Sequence, residues 1–207
     1  MGVFITFEGG EGSGKSTQAR ALKRKLEARG CRVVLEHEPG GTQLGRSVGR
    51  WVKWGGKTGP VPELLLFGAA RAQLVTEVVK PALKEGKIVI LDRFADSTTA
   101  YQGYGRGLDL GQIQIVNYLA TQGMRPDMVV LLDVDVRSGL SRKDATKRDR
   151  FEQEALEFHR RVRDGYRRLA ADEPERWLVI DGSLPKGEVS KLVWDGVEPL
   201  LESRGLL

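Results

Sequence analysis

One glycine-rich segment constrains the fold of this chain more than any other feature. It reads Gly9-Gly10-Glu11-Gly12-Ser13-Gly14-Lys15-Ser16-Thr17 and matches the pattern G-x-x-x-x-G-K-[S/T] in full. A strand-like apolar run precedes it and a helical pattern follows it, which is the context that this motif requires. Its glycines let backbone N–H groups turn toward phosphate oxygens, and the helix N-terminus adds the positive end of its dipole. The segment therefore predicts a nucleotide-binding phosphate loop, in which Lys15 reaches the β- and γ-phosphates and Ser16 ligates Mg²⁺.

Apolar, β-rich runs alternate with helical patterns along the chain. We expect strands at residues 3–7, 32–36, 87–91, 128–134 and 177–180, and helices near 15–29, 43–54, 62–85, 110–122, 136–142, 150–171 and 186–203. Gly30 fits the position just after the first helix, and Pro81 should kink or divide the third. Residues 55–61 and 103–111 are predicted glycine-rich loops. The pattern predicts an α/β fold, with a five-stranded parallel sheet that is flanked by helices and covered on both faces.

Cysteine and histidine are scarce in this sequence. The single cysteine, Cys31, excludes an internal disulfide framework, and the two histidines, His37 and His159, are far apart, so a zinc site is not expected. A lone cysteine fits the reducing cytosol. The sequence has neither an apolar run of about 18 residues nor the pattern of a signal peptide. We therefore expect a cytoplasmic protein without a membrane partner.

The net charge of +5 is concentrated in one segment. Residues 137–168 contain 11 Lys or Arg and 6 Asp or Glu, whereas the rest of the chain is balanced. This distribution favours a local anion site over a generally basic surface. A solvated basic helix face is one alternative. A surface for nucleic acid is another, and it predicts binding that weakens steeply with salt.

Two charged residues follow the third predicted strand directly, in the tripeptide Asp92-Arg93-Phe94. Open α/β sheets bind their ligands at the carboxyl ends of the strands. There Asp92 can bind Mg²⁺ through water or hold an acceptor oxygen, and Arg93 can hold a phosphate with two hydrogen bonds. A plain Asp–Arg ion pair at the end of the strand is the alternative.

Other polar residues are placed where they can face a ligand. Arg71 interrupts an otherwise apolar helix, and a buried arginine needs a partner. If residues 94–102 are helical, Thr98, Tyr101 and Gln102 share one face, because they are three and four positions apart. These residues predict a binding site for a second molecule beside the phosphate loop.

A phosphate loop indicates nucleotide binding but not a particular function. The guanine-reading motif N-K-x-D of GTPases is absent from the sequence. Nearly end to end, the sequence resembles the bacterial thymidylate kinases, which phosphorylate dTMP with ATP. The motifs that carry the resemblance are F-E-G-G-E-G-S-G-K-S-T at 7–17, E-P-G-G-T at 38–42, L-L-L-F-G-A-A-R at 64–71, D-R-F at 92–94 with Y-Q-G at 101–103, and D-R-F-E at 149–152. The resemblance implies a single domain of the P-loop nucleoside monophosphate kinase type over residues 1–207.

The resemblance assigns the thymine base and the sugar to five residues. Phe67 would stack on the thymine ring, and Arg71 would donate to its O4 atom. Because arginine has no acceptor, the amino group of cytosine should be disfavoured at that position. Gln102 and Thr98 would complete the contacts to the base edge. Tyr101 would lie near the sugar and favour deoxyribose.

The acceptor phosphate and its surroundings are assigned in the same way. The resemblance places Arg93 and Arg50 at the phosphate, Glu38 and Pro39 in the acceptor loop, and Glu11 near the 3′-hydroxyl group or the metal. His37 stands where relatives commonly carry an arginine before E-P-G-G-T. One cation near the acceptor loop is therefore either absent or dependent on pH.

Residues 141–150 resemble the mobile lid that closes over ATP in this family. The phosphate loop has Gly12 where some relatives carry an arginine, which resembles the bacterial form in which lid arginines supply the catalytic positive charge. The first candidate is Arg150, followed by Arg142 and Arg148.

The resemblance implies Mg²⁺-dependent transfer of the γ-phosphoryl group of ATP to dTMP, which gives dTDP for dTTP biosynthesis. It implies catalytic roles for Lys15, Asp92, Arg93 and Arg150, a metal held by Ser16 and Asp92, and a homodimer. The alternatives are another nucleoside monophosphate kinase, an inactive relative, and an ATP-dependent protein that binds nucleic acid through the basic segment. We expect no nucleic-acid partner, because that alternative leaves the motif at 92–103 unexplained.

Overall fold

The structure is a computed structural model that describes residues 2–56, 58–144 and 149–207. Its strands are β1 (Val3–Glu8), β2 (Val33–His37), β3 (Ile88–Asp92), β4 (Met128–Asp133) and β5 (Trp177–Asp181). They form one parallel sheet in the order β2-β3-β1-β4-β5. The predicted α/β fold is confirmed, and each strand is found at its expected place.

Helices connect and cover the strands. They are α1 (Lys15–Ala28), α2 (Gln43–Trp54), α3 (Pro60–Leu74), α4 (Lys80–Lys84), α5 (Ala95–Thr98), α6 (Leu110–Thr121), α7 (Val136–Ser141), α8 (Leu156–Asp172) and α9 (Lys186–Ser203). Gly30, with φ of +83°, lies just after the end of α1, as predicted. Within the described ranges, no helix is long and apolar enough to cross a membrane.

The continuous apolar runs of the central strands are explained by burial on two faces. Along β1, Val3 and Ile5 pack in the same cluster as Leu22 of α1, whereas Phe4 packs on the opposite face with Leu74 of α3. Alternate residues of a strand point to opposite faces of its sheet. A strand that is covered on both faces therefore needs apolar side chains at consecutive positions.

Two regions differ from the expected helices. The helix expected at 150–171 begins only at Leu156, because residues 149–155 form turns that end at Ala155. The helix expected at 62–85 runs as α3, a π-helical segment over Val75–Val79, and α4. The π segment comes just before Pro81, whose ring and missing N–H disturb the regular α-helical pattern.

A second π-helical segment, Thr99–Gly105, continues α5 into the region predicted as the loop 103–111. The irregular part of that loop is therefore confined to residues 106–109. Wide turns of this kind are often found at functional sites. Here the segment carries Tyr101 and Gln102 toward the sheet edge where the phosphate loop lies.

The register of the sheet brings the sequence motifs together. Asp92 at the end of β3 is opposite Phe7 of β1 and His37 of β2. The phosphate loop follows β1, and Glu38 follows β2. Because the strands are parallel, these segments leave the sheet at the same edge.

Candidate active site

The phosphate loop connects β1 to α1, and Lys15 is the first residue of that helix. Gly14, with φ of +98°, turns the chain into the helix in a left-handed conformation that suits glycine. The Lys15 ammonium group donates to the carbonyl oxygens of Gly9 at 3.0 Å and Gly10 at 2.8 Å. Burial, together with the charge of Arg93, lowers the pKa of Lys15 to about 8. Phosphate oxygens beside this ammonium group would offer it charge-assisted hydrogen bonds, which are stronger than those to carbonyl oxygens.

Ser16 and Asp92 meet beside the loop, where the Ser16 hydroxyl donates to the Asp92 carboxylate. Mg²⁺ prefers oxygen ligands and usually takes one or two from the protein and the rest from water and substrate phosphates. The part of the chain that the structure describes contains no cluster of three or more His, Cys, Asp or Glu side chains suited to a metal ion. The pair therefore fits a magnesium ion that is held jointly with nucleotide phosphates.

Arg93 is the most constrained cation of the site. Its φ of +77° lies in the left-handed region, which costs a residue with a side chain roughly 1–2 kcal/mol. Its backbone N–H donates to the Phe7 carbonyl at 3.0 Å. Its guanidinium group donates to the Gly9 carbonyl (3.2 Å), the Ser97 hydroxyl (3.2 Å), the Tyr166 hydroxyl (3.3 Å), the Glu11 carboxylate (2.8 Å) and the Tyr101 hydroxyl (3.0 Å). Arg93 is thus a fixed positive charge between the loop and its surroundings.

Glu11 is the carboxylate partner of that cation. Burial alone would raise the pKa of Glu11, but the charges of Arg93 and Lys15 outweigh burial and lower the pKa to about 2. The Tyr101 hydroxyl also donates to Glu11, at 2.7 Å. Glu11 is therefore ionised under all ordinary conditions.

A second carboxylate, Glu8, lies beneath Arg93 and has no exposed surface. It accepts hydrogen bonds from the Phe94 N–H at 2.7 Å, the Ser97 hydroxyl at 2.6 Å and the Tyr166 hydroxyl at 2.9 Å. Burial, with a contribution from Asp96, raises the pKa of Glu8 to about 7. Sequence reasoning missed this role, although a glutamate at the carboxyl end of an apolar central strand was a usable signal.

A cavity adjoins the phosphate-loop cleft, and most residues expected to bind the acceptor line it. These residues are Glu11, Glu38, Pro39, Phe67, Arg71, Arg93, Thr98, Tyr101 and Gln102. Arg50 does not lie there. It is exposed on α2 with its guanidinium group 3.5 Å from the Ser47 hydroxyl. The buried face of α2 is set by Val48 and Val52, four positions apart, and Arg50 falls between them on the other side.

Arg71 is only 1% exposed and has the partner that burial requires. It forms an ion pair of 2.7 Å with Glu38, whose pKa is raised by burial in spite of that charge. Its other donors reach the Asn117 side chain at 2.9 Å, the Phe94 carbonyl at 3.0 Å and the Thr98 hydroxyl at 2.9 Å. Asn117 was not identified from the sequence, because nothing in the amino-acid pattern of α6 distinguishes it from a surface residue.

The wall of the cavity contains three aromatic rings. The centroid of Phe151 is 6.0 Å from that of Phe67 and 6.0 Å from that of Tyr101. Asp149 and Glu152 line the cavity as well. The sequence motif D-R-F-E points to its arginine, whereas the structure places its other three residues at the cavity.

Arg142 and Lys143 are the cations of the expected lid, within its described residues, that lie closest to the phosphate loop. Arg142 donates to the carbonyl oxygens of Gly12 at 3.3 Å and Gly182 at 3.1 Å. Lys143 lines both the cleft and the cavity, and it forms an ion pair of 2.8 Å with Glu152. Sequence reasoning missed Lys143, because only arginines were considered for the lid.

Arg150, the first lid candidate, has different partners in this structure. It forms an ion pair with Glu63 and donates to the Thr58 carbonyl at 3.2 Å. It is absent from the residues that line the cleft around the phosphate loop within the described ranges. Arg148 lies outside the described residues.

Helix α7, which leads into the expected lid, rests on the phosphate loop through two glycines. Gly12 has φ of +68°, and a Cβ atom there would lie 1.9 Å from the Gly139 carbonyl oxygen. A Cβ atom on Gly139 would lie 2.3 Å from the Glu11 carbonyl oxygen. The close approach explains why the loop carries no side chain at position 12, and it couples the position of α7 to that of the loop.

Similar proteins were found by sequence and by structure. A family model described as thymidylate kinase matches residues 7–193. A thymidylate kinase from Dehalococcoides mccartyi is 50% identical over 206 residues, which is 99% of both chains. One from Synechococcus is 48% identical over 199 residues, with 96% of each chain covered. The crystal structure of thymidylate kinase from Ehrlichia chaffeensis has 40% identity and a TM-score of 0.73, covering 86% of this chain and 92% of that one. The chain therefore belongs to the thymidylate kinase family.

Proposed function

We propose that the cavity binds dTMP and the phosphate-loop cleft binds ATP, so that the reaction of the family, phosphorylation of dTMP, takes place where the two meet. The observation that carries this proposal is the continuity of the two recesses. Glu11, Arg93 and Lys143 line both of them. A phosphate group of each nucleotide can therefore approach the same cations.

The chemistry demands charge neutralisation more than a strong base. A phosphate monoester has a second pKa near 6, so the acceptor oxygen is already largely ionised at neutral pH. The main obstacle is the repulsion between two polyanions, and catalysis rests on positioning and on positive charge. Lys15 would stabilise the β- and γ-phosphates, and Arg93 the acceptor phosphate. Bound Mg²⁺ would supply further positive charge at the phosphates, held by Ser16 and by Asp92 directly or through water.

The hydrogen bonds of Arg71 support its assignment to thymine O4. Four of its five N–H groups are directed at Glu38, Asn117, Phe94 and Thr98. One N–H is left for a ligand by the described residues. Because it can only donate, it suits the carbonyl of thymine and disfavours the amino group of cytosine.

The remaining acceptor contacts follow from the lining of the cavity. Phe67 would stack on the base, and Thr98 would act at its edge by holding Arg71 in place. Tyr101 bridges Glu11 and Arg93, so its ring would lie near the sugar and its hydroxyl near the phosphate. Glu11 would then lie near the 3′-hydroxyl group or the metal, while Glu38 and Pro39 would close the cavity on the side of β2.

The lid would supply positive charge to the transferred phosphoryl group. Arg142 already lies on the phosphate loop, so we place it first for this role. Arg150 would have to leave Glu63 before it could contribute. Other basic residues of the segment 137–168 are engaged within the fold. Arg163 and Arg167 both donate to Asp133, which supports a local role for this charge and not a nucleic-acid surface.

A homodimer and a cytoplasmic location complete the proposal. Large apolar side chains are exposed on three neighbouring helices: Trp51 and Trp54 on α2, Leu65 on α3, and Ile115, Tyr118 and Leu119 on α6. An extended apolar surface of this kind is typical of an interface. A second copy of the chain would cover it, which sedimentation equilibrium can test. The lone Cys31 fits a reducing compartment.

The decisive experiment measures ADP formation from ATP and Mg²⁺ with dTMP, dUMP, UMP, dCMP, AMP and GMP offered separately. We expect strong selectivity for dTMP. Turnover with a different preferred acceptor would preserve the mechanism but refute the assignment of Arg71 and Gln102 to thymine. ATP hydrolysis without any acceptor requirement would refute the kinase assignment.

A further inference from the structure

Glu63, in the first turn of α3, is a fully buried carboxylate that joins three segments of the active site. It accepts a hydrogen bond from the Gln102 side-chain amide at 2.8 Å. It also accepts from the Arg106 guanidinium group at 3.2 Å and from that of Arg150. Glu63 therefore does more than fill space in the core. It holds the side chains of all three partners in place.

The chemistry of the partners determines which groups can face Glu63. Arginine side chains have donors but no acceptor, so both carboxylate oxygens are required as acceptors. An ionised carboxylate can only accept hydrogen bonds. The end of the Gln102 amide that faces Glu63 must therefore be its NH₂ group. The opposite end, the Oε1 atom, is the one left for the cavity that Gln102 lines.

We propose that Glu63 is a positioning residue that sets base specificity through Gln102. An amide side chain fits a pocket equally well with either end forward, and only its partners decide which end that is. With its Oε1 atom toward the base, Gln102 accepts a hydrogen bond from the N3–H group of thymine. Cytosine has an unprotonated N3, which is an acceptor, and it would meet Oε1 as a second acceptor.

Glu63 and Arg71 together produce a pattern that matches one edge of the base. Arg71 offers a donor to O4, and Gln102 offers an acceptor to N3–H. Uracil has the same two groups, so Glu63 contributes to the rejection of cytosine and not to the recognition of the thymine methyl group. The inference rests on the proposed function, because it requires dTMP to bind in this cavity.

The test compares Glu63→Gln with Glu63→Asp in the full chain, with kcat/KM measured for dTMP and for dCMP. The glutamine is nearly isosteric, but its NH₂ group can donate to Gln102 and allows the Gln102 amide to turn around. We expect Glu63→Gln to lower the dTMP/dCMP ratio of kcat/KM by about tenfold, mainly through a higher KM for dTMP. Glu63→Asp can still only accept, so we expect its ratio to stay within about twofold of the wild type even if its stability falls. A packing role predicts the reverse order, since the isosteric change would then be the milder one.

Arg106→Gln is the matched control, because it weakens the same ion-pair cluster without placing a donor opposite Gln102. It should lower stability and leave the base ratio unchanged. If Glu63→Gln alone does not fold, the double variant Glu63→Gln/Arg106→Gln restores the charge balance and is compared with Arg106→Gln. An unchanged ratio in the Glu63→Gln background, with a wild type that prefers dTMP, would overturn this inference alone. A wild type without preference for dTMP would overturn the proposed base site itself.

Discussion

The cavity and the phosphate loop lie side by side, but different groups hold their cations in place. On the cavity side, Arg71 is buried and bound by side chains and a carbonyl from α5, α6 and the segment after β2. On the loop side, Lys15 and Arg142 contact mainly backbone carbonyl oxygens of glycines. The cation on the cavity side is held by a network of ionic and polar side chains. The cations on the loop side are held mainly by hydrogen bonds to backbone carbonyl oxygens.

This difference indicates how each region meets its ligand. Breaking a buried ion pair costs several kcal/mol, so the cavity side is rigid and, on the proposed function, is a fixed template for the base. Exchanging a neutral carbonyl acceptor for a phosphate oxygen replaces a weaker hydrogen bond with a charge-assisted one. Lys15 and Arg142 can therefore move onto a nucleotide at little cost. We therefore expect the rigid cavity side to determine which base is accepted. We expect the side chains on the loop side to move during turnover.

The largest effect is expected on the loop side, where Arg142→Ala should lower kcat. An arginine that stabilises the transition state is worth roughly 10³–10⁵ in rate in related systems, so kcat should fall by about 10³ or more while the KM for dTMP changes only a few-fold. Arg150→Ala is the comparison, because Arg150 is held by Glu63 in this structure. Steady-state kinetics at saturating ATP measure both variants. A larger loss of kcat in Arg150→Ala would show that Arg150 leaves Glu63 during turnover and would restore the order inferred from the sequence.

The second largest effect is expected on the cavity side, where Arg71→Ala should lower stability and weaken dTMP binding. The change leaves Glu38 buried without its counter-charge, which costs about 3–5 kcal/mol of unfolding free energy. The KM for dTMP should rise, with a smaller change in kcat. Denaturant unfolding and acceptor titration measure the two effects. In the double variant Arg71→Ala/Glu38→Gln, stability should partly recover but dTMP affinity should not, and recovery of both would contradict the role of Arg71 at the base.

The two regions also differ in how far the sequence could predict them. The phosphate loop is a continuous motif, so its residues follow from a strand, a loop and a helix in order. The contact between Ser16 and Asp92 follows from the parallel sheet, because β1 and β3 are neighbours and end at the same edge. The burial of Arg71 was foreseeable, because a charge on an apolar helix needs a partner. Its partner Asn117 and the carboxylate Glu63 were not identified, since their contacts, between residues 46 and 39 positions apart, depend on how α3 packs against other segments and not on the sheet. The position of Arg150 was unpredictable for the same reason, because its partner Glu63 also lies on α3.

The smallest effect is expected from protonation of Glu8, which lies beneath the junction of the two regions. Its pKa is raised from 4.5 to about 7, so the folded protein holds a proton that the unfolded chain releases between these values. The stability that this proton contributes is fully present below about pH 4.5, decreases as the pH rises above that value, and is lost once the pH has risen through 7. The charge of Asp96 raises the pKa of Glu8 and that of Arg93 lowers it. Between pH 6 and pH 8 the free energy of unfolding should fall by about 1 kcal/mol.

The variant Glu8→Gln separates the contribution of Glu8 to the free energy of unfolding from the contributions of all other titrating groups. The amide preserves an acceptor for the Phe94 N–H and offers donors to Ser97 and Tyr166, so the fold around Arg93 should persist. The difference in unfolding free energy between wild type and Glu8→Gln should then fall as the pH rises from about 4.5 to about 7 and level off above pH 8. Glu11 does not interfere, because its lowered pKa of about 2 confines its own contribution to acid conditions, where stability is lost as the pH falls below about 4.5. A difference that is flat from pH 6 to pH 8 would mean that Glu8 is ionised in the folded protein, and that its hydrogen bonds from Ser97 and Tyr166 outweigh the cost of burying its charge.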